Sequence, residues 1–134
     1  MEVSGTVTAP RIRVAIVDDY ALARKGMAMM LAGASDIEVV GEASDGDEVP
    51  ALVEATRPDV VLMDLRMPRI DGIEATRRVR ARFPDVRVIV LTAYADDDRL
   101  RGALDAGASG YLIKDIEEDE LCQAVRDAAA SLGD

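Results

Sequence analysis

The chain is predicted to be an α/β domain built on a five-stranded, doubly wound parallel sheet in a (βα)5 arrangement. Three observations predict it. Short β-branched runs alternate five times with helix-length segments across 134 residues, which is the pattern of parallel strands joined by crossover helices. The central runs are apolar throughout, as strands covered on both faces are. Polar residues stand just past the ends of four of the five runs. Asp18 and Asp19 follow Val14-Ala15-Ile16-Val17, Asp64 follows Val60-Val61-Leu62-Met63, Thr92 follows the run from Val86 to Leu91, and Lys114 follows Tyr111-Leu112-Ile113. In an open parallel sheet, ligands bind in the crevice beyond the carboxyl ends of the strands.

Each element has its own signal. The first strand is Arg11 to Val17, and the first helix runs from about Tyr20 to Gly33, with Leu22, Gly26, Met27, Met30 and Leu31 as its expected core stripe. The second strand, Ile37 to Ala43, mixes Glu38 and Glu42 with apolar residues and reads as an edge strand. Pro50 has no N–H to donate, so the second helix, between Asp45 and Thr56, is expected to start late, near Asp47 or Glu48, or to kink; Arg57-Pro58 ends it. The third strand is Asp59 to Met63, followed by a loop from Asp64 to Asp71. Asp71-Gly72 opens the third helix with Asp71 as N-cap, and Ile73, Val79 and Phe83 point inward.

Pro84-Asp85 separates this helix from the fourth strand, Val86 to Leu91. Asp96, Asp97 and Asp98 are expected to open the fourth helix, where their charge complements its dipole. That helix ends near Ala106-Gly107. The fifth strand is Gly110 to Ile113, and the last helix runs from about Glu117 to Ser131 behind an acidic start. Right-handed crossovers then give the flavodoxin-like strand order 2-1-3-4-5, with its switch point between strands 1 and 3. Asp18, Asp19 and Asp64 hang from those two strand ends.

Composition narrows the function. The net charge is −10, which disfavours direct nucleic-acid binding, a process that relies on Lys and Arg against phosphates. Cys122 is the only cysteine, so no internal disulfide forms and a reducing, cytoplasmic setting is expected. No run approaches membrane-spanning length. Residues 1–10 read as a flexible lead-in, residues 11–131 as the domain, and residues 132–134 as the start of a linker or tail. The chain contains no histidine, so it carries neither the commonest general base nor a phosphohistidine of its own.

The polar residues at the strand ends suit phosphoryl chemistry. Three carboxylates brought close together repel one another unless a cation neutralises them. Mg²⁺, or Mn²⁺ in its place, prefers such hard oxygen ligands together with phosphate. A carboxylate can act as nucleophile toward phosphorus, and transfer then depends on positioning and charge neutralisation. Lys114 supplies an ammonium for the phosphoryl oxygens and Thr92 a hydroxyl. Taken singly, each is ordinary: an Asp after a strand caps a turn, a lysine is solvated, and a threonine favours strands. Their joint placement at one sheet edge is what points to a site.

The motifs Val17-Asp18-Asp19, Met63-Asp64-Leu65-Arg66-Met67-Pro68, Asp71-Gly72, Leu91-Thr92-Ala93 and Gly110-Tyr111-Leu112-Ile113-Lys114 resemble the receiver domain of bacterial two-component response regulators. The resemblance spans about residues 11–131. It implies that Asp64 is the phosphoacceptor, that Asp19 binds Mg²⁺ directly, and that Asp18 helps to hold it. It also implies that the Arg66 backbone carbonyl completes the protein's metal ligands, that Lys114 contacts the phosphoryl group, and that Thr92 and Tyr111 form a switch pair. Arg66 and Tyr94 match positions that tune phosphoryl lifetime. A sensor histidine kinase, or a small donor such as acetyl phosphate, is the implied source of the phosphoryl group.

Asp115 stands where many receivers have proline, and the Tyr-Leu-Ile-Lys-Asp ending resembles the subfamily with a LuxR-type helix-turn-helix output domain. Transcriptional control through such a domain outside these 134 residues is therefore the favoured output, ahead of a stand-alone receiver. A pseudo-receiver that signals by docking alone is the alternative. Phosphorylation-dependent homodimerisation is also implied, with Met29, Ala129 and Leu132 as candidate contacts.

Two enzymatic or cofactor-binding readings fit poorly. A haloacid-dehalogenase-type hydrolase needs a second Asp where Arg66 stands, and a flavodoxin-like cofactor binder would not place two acids after the first strand. The chain thus reads as a signalling phosphoacceptor, with any catalysis limited to its own phosphorylation and dephosphorylation.

Overall fold

The computed structural model describes residues 10–131. The lead-in read at residues 1–10, apart from Pro10, lies outside them, as do residues 132–134 with Leu132. The elements alternate as expected: β1 (Ile12–Val17), α1 (Ala21–Ala32), β2 (Ile37–Ala43), a 3-10 turn (Gly46–Glu48), α2 (Val49–Thr56), β3 (Val60–Asp64), α3 (Gly72–Arg82), β4 (Arg87–Thr92), α4 (Leu100–Asp105), β5 (Gly110–Ile113) and α5 (Glu118–Ala130). All pairings are parallel, in the order β2-β1-β3-β4-β5.

β3 shows why this sequence makes a central strand. Side chains alternate across a strand with period 2. Val61 and Met63 therefore enter one apolar layer, under α2, α3 and α4, while Val60 and Leu62 enter the other, under α1 and α5. Leu62 lies opposite Ile16 of β1 and Ile89 of β4. Every residue of β3 is buried, including Asp64 at its end. The apolar run thus fixes the register, and the register delivers Asp64 to the carboxyl edge.

Helix starts follow local chemistry. Pro50 falls in the first turn of α2, after the 3-10 turn, so the late start is as expected. Asp71 caps α3, its side chain accepting from the Glu74 N–H at 3.0 Å. Gly107 closes α4 with φ 113°, a region that glycine enters without steric cost.

Two expectations need correction. Leu22 and Gly26 do not belong to the core stripe of α1. Leu22 is 66% exposed, and a Cβ on Gly26 would meet nothing within 4 Å. The reason is angular: at about 100° per residue, Leu22 lies roughly half a turn from the buried Leu31 and shares a face with Met29. Leu31, Met27, Ala28 and Met30 make the real contact with the core.

The second correction concerns α4, which begins at Leu100 and not at Asp96 to Asp98. The segment from Tyr94 forms turns, and the Asp97 side chain is buried against the loops of the sheet edge instead of serving as a dipole cap on an exposed first turn. Ala129 packs against the α1/α5 layer, the ordinary core role, whereas Met29 is 70% exposed.

Candidate functional site

The carboxyl edge brings together most of the polar residues singled out from the sequence. Asp18 and Asp19 directly follow β1, Asp64 ends β3, Thr92 ends β4, and Lys114 follows β5. One carboxylate oxygen from each of Asp18, Asp19 and Asp64 lies within 4.8 Å of the others. Asp18 and Asp64 are buried and Asp19 is exposed. Lys114 Nζ bridges the two buried acids, 2.9 Å from Asp18 Oδ2 and 3.2 Å from Asp64 Oδ1. The Tyr20 amide donates to Asp18 Oδ1 at 2.9 Å. The Arg66 amide lies 3.4 Å from Asp64 Oδ1.

This cluster is under-neutralised. Burial, and then the charge of Asp18, push the Asp64 carboxyl up to about 6, with Lys114 and the Arg66 amide pulling the other way. Burial works against the Lys114 charge, but its hydrogen bond to Asp18 and the charges of both acids outweigh that and hold its pKa above the ordinary lysine value. Asp18 Oδ2 is fully enclosed, and the Lys114 ammonium is its one charged partner among the described residues. Three carboxylates converging on one small volume, with a single ammonium between the two buried ones, fit a hard divalent cation.

The surrounding loops are held by residues to which the sequence reading gave no such role. Asp45, buried two residues past β2 as the cap of the 3-10 turn, accepts from the amides of Gly46 (2.7 Å), Arg69 (3.0 Å) and Ile70 (2.8 Å). It thereby ties the loop after Asp64 to the segment that follows β2. Gly72 is required by close approach: a Cβ there would strike the Asp64 carbonyl oxygen and lie 2.8 Å from Leu65 Cα. Arg24 donates to the Asp18 carbonyl at 2.5 Å and pairs with Glu42 at 3.3 Å, bracing the end of β1.

The Thr92 hydroxyl is engaged by the loop that follows β4. Its hydroxyl lies 3.0 Å from Asp97 Oδ2 and 3.3 Å from the Tyr94 carbonyl, and it accepts from the Tyr94 amide at 3.2 Å. Asp97 also receives Arg66 through Nε at 3.3 Å and the terminal nitrogen at 3.0 Å, and the Arg99 amide at 3.0 Å. The Arg99 amide, then the Thr92 hydroxyl and Arg66, hold the Asp97 carboxyl below the usual range against the opposing effect of burial. The role of Asp97 was also missed from the sequence, because the run Asp96-Asp97-Asp98 has a ready explanation as helix capping. Tyr111 is 46% exposed on the edge strand and Tyr94 is 64% exposed.

Three aspartates and a lysine at the carboxyl edge of a doubly wound (βα)5 sheet define the response-regulator class of signalling domain. The chain belongs to the response regulator receiver domain family, which it matches over residues 14–126. It is 46% identical over 123 residues to the transcriptional regulatory protein LiaR of Bacillus subtilis, covering 92% of this chain and 57% of that one. It is 43% identical over 119 residues to the DNA-binding transcriptional activator DevR/DosR of Mycobacterium tuberculosis, covering 89% and 55%. The chain thus spans about half the length of the curated relatives it matches.

Among solved structures, the receiver domain of the response regulator NarL from Mycobacterium tuberculosis superposes with a TM-score of 0.87 at 36% identity, over 92% of this chain and 99% of that one. A LuxR-family two-component response regulator from Aurantimonas gives 0.84 at 36% identity, over 90% and 86%. The fold and the LuxR-type subfamily read from the sequence both stand. No helix among the described residues is long and apolar enough to cross a membrane.

The raised Asp64 value makes a pH prediction for the metal-free protein. The native state holds this proton more tightly than the unfolded chain does, so stability falls as pH rises between about 4 and 6 and stays reduced above that window. Asp64→Asn removes the charge that burial opposes. In chelator, the variant is expected to melt above wild type at about pH 8, with the gap closing toward about pH 4. A gap that is constant with pH in paired thermal melts would show that Asp64 is not the titrating group.

Proposed function

We propose that this domain is a working phosphoacceptor in which Asp64 takes a phosphoryl group from the phosphohistidine of a sensor histidine kinase, or from a small acyl phosphate. The observation that carries this reading is the Lys114 ammonium held between the two buried carboxylates, Asp18 and Asp64. With its pKa near 6, Asp64 is mostly ionised at neutral pH and available as a nucleophile. The Asp64 oxygen forms its bond to phosphorus as the donor's N–P bond, or acyl O–P bond, breaks; the imidazole or carboxylate leaves. In hydrolysis, water attacks phosphorus, the Asp64–phosphorus bond breaks, and the carboxylate and inorganic phosphate separate.

Asp18, Asp19, Asp64 and the Arg66 carbonyl would hold Mg²⁺ (or Mn²⁺), which supplies Lewis-acid neutralisation of the phosphoryl oxygens. Lys114 contributes a second cationic contact and Thr92 a hydroxyl donor. Movement of Thr92 toward the phosphoryl group, with inward rotation of the half-exposed Tyr111 ring, would convert the mark into a surface change. The output proposed is transcriptional control in a cytoplasmic setting, with DNA contacted by a separate output domain and not by this acidic segment.

Intact mass after incubation with acetyl phosphate tests the reading. A labile gain of one phosphoryl group is expected that requires both Mg²⁺ and Asp64, and is therefore lost in chelator and in Asp64→Ala. If neither this nor beryllofluoride binding is seen, the docking-module alternative takes its place.

Arg66 and Tyr94 are proposed to set phosphoryl lifetime by restricting the hydrolytic water, since both follow site residues by two positions and Arg66 is anchored to Asp97. Arg66→Ala and Tyr94→Ala are expected to shorten the half-life of the phosphorylated domain severalfold; unchanged decay in both would end the idea. Phosphorylation-dependent pairing is proposed through the exposed face of α1 that carries Met29. Met29→Glu is expected to shift the phosphorylated protein toward monomer in sedimentation, and an unaltered equilibrium would remove this residue from the interface.

A further inference from the structure

We propose that Asp97 is a positioning residue that holds the Thr92 hydroxyl and the Arg66 guanidinium in the resting arrangement, and so sets how readily the phosphorylated state forms. This rests on the phosphoacceptor reading above and adds a residue to it. The geometry is specific. The Asp97 side chain is fully buried, yet it sits at a junction of two loops from different strands. Thr92 comes from the end of β4, Arg66 from the loop after β3, and the Arg99 amide from the segment leading into α4. Both nitrogens of one edge of the Arg66 guanidinium face Asp97, in the two-point arrangement that fits a carboxylate.

Proton counting supplies the mechanism. A threonine hydroxyl has one proton to donate. Its nearest acceptor is Asp97 Oδ2 at 3.0 Å, ahead of the Tyr94 carbonyl at 3.3 Å. An anion arriving on Asp64 can receive that proton only if Asp97 gives it up. Asp97 is then left with Arg66 and the Arg99 amide, enough donors to remain ionised and buried. Asp97 therefore competes with the phosphoryl group for a single hydrogen bond. It also keeps Arg66, two residues beyond Asp64, turned toward the α4 side of the site. Loss of one acceptor shifts the two-state balance toward the form that binds the anion.

Beryllofluoride with Mg²⁺, titrated into the 134-residue chain by calorimetry, tests this directly. Asp97→Ala is expected to bind about tenfold more tightly than wild type, the scale of one hydrogen bond to a charged group. Asp97→Asn, nearly isosteric and still able to accept, is expected to show a smaller gain and covers the case in which the alanine variant does not fold. In a Thr92→Val background the gain is expected to vanish, because there is no hydroxyl to release. Folded Asp97 variants with wild-type affinity would overturn the proposal, as would a gain that persists in Thr92→Val. Failure of wild type itself to bind would overturn the phosphoacceptor reading and this proposal with it.

Discussion

Two carboxylates, Asp18 and Asp64, are buried side by side with a single lysine between them. Much of the local architecture serves that arrangement. Like charges in a poorly solvated place repel strongly, and one ammonium cannot neutralise three acids. The resulting deficit is a standing demand for positive charge, and it makes this edge of the sheet receptive to a cation. The cost is tolerated because the acids sit at the ends of strands whose apolar residues are packed in two layers and cannot yield.

Rigidity around the cluster comes from small features. The chain leaving Asp64 passes so close to α3 that only glycine fits at position 72. The same loop is tied at Arg69 and Ile70 to the buried carboxylate of Asp45. On the other side, the loop between β4 and α4 is organised by the contacts of Asp97. One loop is thus fixed by backbone amides alone, and the other by an amide together with a hydroxyl and a guanidinium. Amides of the chain have fixed positions, whereas a hydroxyl and a guanidinium can rotate away.

How much was legible in the sequence follows from this division. Strand identity, order and the placement of Asp18, Asp19, Asp64, Thr92 and Lys114 could be read because they follow from period-2 burial and from apolar runs ending in polar residues. The late start of α2 could be read because Pro50 lacks a donor. The exposed side of α1 was misjudged: an apolar residue at the start of a helix fits several stripes, and only the distance to Leu31 decides between them. The start of α4 was misjudged because local capping preference was outweighed by tertiary partners for Asp97. Asp45 gave no warning at all, since its role depends on amides more than twenty positions along the chain.

The two rims of the sheet have a bearing on how such domains can come together. At one rim, β2 carries Glu38 and Glu42, and its pairing with β1 is broken by a register shift between Val14 and Ala15. At the other, β5 is only four residues long. Charges, irregularity and short length are the means by which natural sheets avoid joining edge to edge. Backbone ladders between copies are thereby discouraged, leaving side-chain surfaces to carry association. Contacts of that kind can be made and unmade without reopening the sheet.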